Sequence, residues 1–406
     1  MNPPRINLDH YAGTPLLPEV QQAMTAALAE TGNPSSIHQA GQRAKRAIEQ
    51  ARRPVAALIN AKPEEISFTS CGTESNNWAL RGLFAANKRR GSHIMISAIE
   101  HPSVSLVARR LELDGGARVT ILPVDHEGFI SPSDLKAALT PETVLVSIML
   151  ANGEVGTIEP IRELAAIAHE HGALFHTDAI AAIGHIAVDV KALGVDALSL
   201  AANQFYGPQG AAALFVREGV RILPLLEGGG QEHGGRSGTE NVAAIAGMGA
   251  AAEIAKRDLP HRMNHCARLR GRLHDGLQER IEGLRINGPE KGVRPLLSQK
   301  GSDPFLGWGR LPQNLHVCID GVSSESLVLG LDQAGIAAGL GSACNSKSMR
   351  PSHVLKAMGL SDEQARGALV FTLGSQTTEE DINRAIEVIP QVVKRLQRIT
   401  SMTVRA

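Results

Sequence analysis

Residues 172 to 210 read GALFHTDAIAAIGHIAVDVKALGVDALSLAANQFYGPQG, and the order of apolar and polar positions in them decides the fold. An apolar run from Ala173 to His176 ends at Asp178, and Ala179 to His185 with the amphipathic Val188 to Leu193 carries the chain over. A second apolar run, Ala197 to Ala202, ends in Asn203-Gln204 before Tyr206-Gly207-Pro208 turns the chain back. This is the pattern of a βαβ unit. In wound α/β sheets ligands sit outside the carboxyl ends of such strands, which places Asp178 and Gln204 at one crevice. A carboxylate at a buried strand end needs a cation or several donors to offset its desolvation.

Further runs extend the sheet on the amino-terminal side: Ile66 to Thr69, Ile94 to Ser97, Val119 to Val124 and Val144 to Met149 read as strands. Helical spacing covers 18 to 28, the segment after Asn33-Pro34-Ser35-Ser36, the segment opening at Cys71-Gly72-Thr73, and residues 133 to 139 and 160 to 171. Gly172 suits the end of the last of these. The alternation predicts an α/β protein with a mostly parallel sheet. Long helical patterns run over 242 to 257 and 263 to 281 and lead into a smaller domain. Past them, strands at 315 to 319 and 368 to 373, a helix over 323 to 333, and a last helix opened by Thr378-Glu379-Glu380-Asp381 build a smaller α+β unit. The expected division is a large domain over 17 to 259 and a small one from residues 1 to 16 with 260 to 406. Between Pro289 and Pro312 a long segment holds Phe305, Leu306 and Trp308, which suit either a core cover or a partner surface.

Lysine with arginine and aspartate with glutamate both total 41, so charge gives no case for nucleic acid or an anionic membrane. Aromatic residues make up 3%, too few for a base-stacking surface. The opening MNPPRINLDHYAG lacks a signal-type apolar core and no apolar run is long enough to span a bilayer, so a cytoplasmic protein is expected. Cys71, Cys266, Cys318 and Cys344 are scattered, which suggests neither a disulfide framework nor a local zinc motif.

Several motifs together resemble the cysteine desulfurases: Asn7 to Pro15, Asn33 to His38, Thr73-Glu74-Ser75-Asn76-Asn77, Glu100-His101, His176-Thr177-Asp178-Ala179, Tyr206-Gly207-Pro208 and the loop Gly228 to Asn241. The resemblance covers nearly the whole chain and implies the fold type I architecture of transferases that use pyridoxal phosphate (PLP). It implies that Asp178 partners the pyridinium nitrogen and that His101 stacks on the ring and moves protons. Thr73 and the helix start would seat the phosphate, Asn152 would contact the cofactor, and Thr239 would reach the phosphate of a neighbouring subunit in a homodimer. By the residues alone, Gly72-Thr73 reads first as a helix cap and His101 as a polar loop residue.

The same resemblance exposes departures. Where the family has Ser-Gly-His-Lys this chain has Ala201-Ala202-Asn203-Gln204, and an amide cannot form the Schiff base. Gly153 replaces an asparagine, Ala181 a glutamine, and Val370 the arginine that grips the substrate carboxylate. The loop Gly339 to Ser346 keeps the family's pattern around Cys344, with Lys347 and Arg350 nearby to favour a thiolate. The expectation is a desulfurase-like homodimer without ordinary PLP catalysis. It would handle sulfur as a persulfide on Cys344, or ligate an iron-sulfur cluster there, with a sulfur acceptor or scaffold protein as partner. A PLP enzyme with an unusual amine and a structural or regulatory dimer module remain the alternatives. Cys71, Cys266 and Cys318 lie on strand or helix patterns and are expected to react more slowly than Cys344.

Overall fold

The computed structural model describes residues 5–289, 309–341 and 351–405. Its strands are β1 Ile6–Leu8, β2 Ile66–Thr69, β3 His93–Ser97, β4 Arg118–Leu122, β5 Thr143–Ser147, β6 Leu174–Asp178, β7 Ala197–Ala201, β8 Ala212–Val216, β9 Leu284–Asn287, β10 Asn314–Ile319, β11 Ile336–Ala338 and β12 Ala368–Thr372. Seven of them form one sheet in the order β2-β8-β7-β6-β5-β3-β4. The pairs from β4 through β7 are parallel, as the alternating pattern predicts. β8 runs antiparallel between β2 and β7.

Both faces of this sheet are covered, which is why its strands are apolar at successive positions. Ile94 and Ile96 pack into a cluster with Leu80, Phe84 and Val104 on one face. Met95 points to the other, where Phe175, Leu198 and Leu200 meet Ile183, Phe205 and Met248. The crossover from β6 to β7 contains only one short helix, Val190–Leu193, capped by Asp189.

Helix Val242–Gln278 is continuous through Pro260 and joins the two helical patterns read at 242 to 257 and 263 to 281. A proline inside a helix costs about 3 kcal/mol, and the burial of this helix at both ends offsets that. Its first half packs in the core of the large sheet through Ala244, Met248 and Ala252. Its second half, through Cys266, Leu269 and Leu273, belongs to a second core that also contains Ile6, Leu8, Leu315 and Phe371. That core lies against the antiparallel sheet β12-β10-β9 and the parallel pair β1-β11. The final helix starts with the predicted reciprocal cap: Thr378 N donates to Asp381 Oδ2 at 2.9 Å, and Asp381 N donates to Thr378 Oγ1 at 3.1 Å. Helix Gln39–Leu58 is capped by His38, while Asn33 closes its own turn by accepting from Ser35 N.

Candidate active site

β6 ends at Asp178 and β7 runs into a short 3-10 turn, Ala202–Gln204, so the two residues meet at one cavity of about 330 Å³. Asp178 is buried; its Oδ1 accepts from Ile180 N at 2.9 Å and its Oδ2 from Asn76 Nδ2 at 2.7 Å. Burial raises its pKa, and the nearby His101 partly offsets that.

His101 caps helix Pro102–Gly115: its Nδ1 accepts from Ser103 N at 3.1 Å and lies 2.7 Å from Ser103 Oγ. With Nδ1 as acceptor the ring carries its proton on Nε2, and desolvation lowers its pKa. Asn76 Nδ2 also donates to Ser103 Oγ at 2.8 Å. Asp178, Asn76, Ser103 and His101 therefore form one hydrogen-bonded chain, whose two middle members the motif reading did not assign to the site.

Thr73 sits in the first turn of helix Gly72–Asn87 and lines the cavity. Gly72 before it is closely approached: a Cβ there would stand 2.2 Å from Ile180 Cδ1. The Ile180 side chain thus lies against the helix start. Cys71, the N-cap of that helix, is exposed and lines the cavity as well. It differs in this from Cys266 and Cys318, which are buried and whose thiols burial pushes up to about 11.

Asn152 also lines the cavity, but its amide is committed to its own turn. Its Oδ1 accepts from Glu154 N at 2.9 Å and Val155 N at 3.0 Å, while its Nδ2 faces Ile99 O at 3.1 Å and Met149 Sδ at 3.4 Å. An amide side chain offers two donors and one two-lone-pair acceptor, so none of this capacity is left for a ligand. Beside it, a Cβ at Gly153 would come within 2.0 Å of Tyr11 Cε2, so the Tyr11 ring occupies the space of the missing side chain.

Gln204 is buried, and its Nε2 donates to the Tyr11 carbonyl at 3.0 Å. Asn203 O accepts from Thr14 N at 2.9 Å and from Thr14 Oγ1 at 2.9 Å. The turn Ala202–Gln204 thus fastens the amino-terminal arm. Val370 is buried in β12 opposite Gly339, with which it exchanges two backbone hydrogen bonds of 2.9 Å. Thr239 is exposed and does not line this cavity. Cys344, Lys347 and Arg350 lie outside the described residues, as does most of the segment between Pro289 and Pro312.

Two further acids line the cavity. Glu100 Oε1 accepts from Ser97 Oγ at 2.6 Å and Met149 N at 2.9 Å, its Oε2 is unpaired, and burial pushes its pKa up to about 8. Glu154 accepts from the Ser352 hydroxyl and burial raises it to about 7. Its Oε1 has no hydrogen-bond partner and stands 3.7 Å from His316 Nε2. Among the described residues lining the cavity there is no lysine and no arginine. The fit to PLP is therefore divided. Asp178 and the helix start at Thr73 suit a pyridinium and a phosphate, whereas no amine or cation is present and Ile180 covers Gly72. No group of three or more histidine, cysteine or acidic residues suited to a metal occurs among the described residues.

A mostly parallel sheet with its cavity at the strand ends, backed by a small antiparallel sheet, is the architecture of the fold type I α/β transferases. Residues 6–300 match the model of the aminotransferase class-V family. The chain is 43% identical over 399 residues to cysteine desulfurase IscS of Clostridium botulinum, covering 98% of this chain and 96% of that one. It is 45% identical over 396 residues to the protein of the same name from Dictyoglomus turgidum, covering 97% and 96%. A solved NifS-like protein superposes with a TM-score of 0.86 at 34% identity, covering 97% of this chain and 100% of that one. The apo structure of a cysteine desulfurase from Thermococcus onnurineus gives 0.82 at 26% identity, covering 97% and 95%. The chain belongs to the cysteine desulfurase family of class-V aminotransferase-like proteins. No helix among the described residues is long and apolar enough to cross a membrane.

Proposed function

We propose that this chain is a cytoplasmic, homodimeric member of its family that has given up lysine-linked PLP catalysis. It handles sulfur through Cys344, by persulfide relay to an acceptor or by ligating an iron-sulfur cluster with a scaffold partner. The observation that carries the reading is Gln204: an amide, bound to the Tyr11 carbonyl, stands where catalysis needs an amine. The described residues do not fit an aldimine-linked cofactor, so no step is routed through one. The exposed Thr239 supports a role outside its own subunit's cavity. Ile37, 94% exposed on the loop before helix Gln39–Leu58, adds an apolar surface for a second copy.

The test is borohydride reduction of the purified protein followed by peptide mass spectrometry. No phosphopyridoxyl-lysine is expected, and such an adduct would sink the reading. Gln204→Lys alone is expected to release no sulfide from cysteine, because Val370 leaves the substrate carboxylate without a partner, a loss worth about 2–5 kcal/mol. For Cys344, treatment with a persulfide donor and anaerobic iron-sulfur reconstitution of wild type and Cys344→Ser separate sulfur handling from a purely structural module. Equal sulfur and iron loading of the two would favour the module.

A further inference from the structure

Glu154 is buried between two stretches of chain that flank Cys344 in the sequence, and its own backbone is held from both sides. Its N–H donates to Asn152 Oδ1 at 2.9 Å, while Asn314 Nδ2, from β10, donates to Gly153 O at 2.9 Å and to Glu154 O at 3.0 Å. On one side of its side chain lies Gly341, at a φ of 84°, so close that a Cβ there would stand 3.0 Å from Glu154 Oε1 and 3.1 Å from Cδ. On the other side the Ser352 hydroxyl donates to the Glu154 carboxyl. Ser352 Oγ also opens helix His353–Ala357, accepting from Val354 N at 3.1 Å and Leu355 N at 3.4 Å. Farther out each flank has a tie of its own: Gly339 exchanges backbone hydrogen bonds with Val370, and His353 Nε2 donates to Glu100 O at 3.0 Å. A carboxyl buried this deeply, with Oε1 unpaired among the described residues, costs more to keep than an apolar side chain of the same size.

We infer that Glu154 is a positioning residue for the sulfur-handling thiol: one carboxyl side chain sets the two flanks of the Cys344 segment, at Gly341 and at Ser352, in fixed relation to each other. The flanks do not act independently, because a change at Ser352 frees the side chain on which Gly341 packs. Burial raises Glu154 to about 7, so near neutral pH glutamine reproduces its acceptor and its volume, whereas alanine removes both. The inference rests on the reading that Cys344 handles sulfur.

Amide hydrogen exchange and persulfide loading of the full-length protein test it in wild type, Ser352→Ala, Glu154→Ala and Glu154→Gln. Ser352→Ala is expected to quicken exchange roughly threefold or more in the peptide holding Gly339 to Gly341, which Ser352 does not cover, and to add nothing further in a Glu154→Ala background. Glu154→Ala is expected to quicken exchange in that peptide and in the one holding Val354 and Leu355, and to lower sulfur loading at Cys344 roughly threefold or more, with Glu154→Gln restoring both. The cross-effect of Ser352→Ala keeps the inference falsifiable if Glu154→Ala fails to fold. Unchanged exchange at Gly339 to Gly341 in Ser352→Ala, or wild-type sulfur loading in a folded Glu154→Ala, overturns this inference and leaves the sulfur reading standing. Equal sulfur loading of Cys344→Ser and wild type ends the sulfur reading and this inference with it.

Discussion

At the scale of single residues, the site is set by which side chains fill which volumes. The Tyr11 ring lies where a side chain at Gly153 would be, and the Ile180 side chain where one at Gly72 would be. Neither contact is legible in the motifs, because a tyrosine in an arm and an isoleucine after a strand read as ordinary packing. The glycines were the available signal, each marking a close approach once its neighbour is known. The polar skeleton was more readable: Asp178, Gln204, His101 and Thr73 all line one cavity. Cys71 stands apart from Cys266 and Cys318 because it sits at the helix cap, outside the buried turn. We expect iodoacetamide to modify Cys71 in the native protein at least tenfold faster than Cys266 and Cys318, whose raised pKa and burial withhold the thiolate. Peptide mapping after timed quenching reads this, and similar rates at the three thiols would contradict the placement of Cys71.

At the scale of elements, the glycine-rich loop 228–241 is held from beneath by an ion pair. Arg52 donates to both carboxylate oxygens of Glu232, at 2.7 and 2.9 Å, and Phe68 N donates to the same carboxylate at 2.8 Å. Glu232 and His233 adopt positive φ, 46° and 58°, which a non-glycine residue sustains only where its surroundings enforce it. Glu232→Ala leaves the buried guanidinium with only Glu49 and the Ile66 carbonyl as partners and is expected to cost about 3 kcal/mol in urea unfolding and to speed amide exchange across the loop. A change within ~0.5 kcal/mol would show that the pair carries little. The sheet strands from β3 to β7 were legible because each is a short apolar run bounded by turns. β8 was not, since its run after the Gly-Pro turn carries no mark of direction.

At the scale of the molecule, buried titratable groups of two kinds oppose each other. Burial holds His10 near a pKa of about 4 and His176, His185 and His316 near about 3, against 6.5 unfolded. Below pH 6.5 the unfolded chain binds these protons and the folded one does not, so their contribution to stability is lost on acidification. Glu100, Glu154 and Glu159 are raised, to about 8, about 7 and well above 4.5 respectively. Here the folded chain keeps protons that the unfolded one releases, so this stability is complete below pH 4.5 and is lost as pH rises through 7 and 8. The four histidines outweigh the three acids below 6.5 and only the acids act above it. Thermal midpoints across pH 5 to 9 are expected to peak near about 6.5 and fall by pH 8, with Glu100→Gln flattening the alkaline limb. A plateau from 7 to 9 in wild type would contradict this. The Tyr11 ring over Gly153 also ties three distant positions together. Any side chain at position 153 must displace that ring while Gln204 holds the Tyr11 carbonyl, so substitutions at 11, 153 and 204 are expected to be non-additive in their effects.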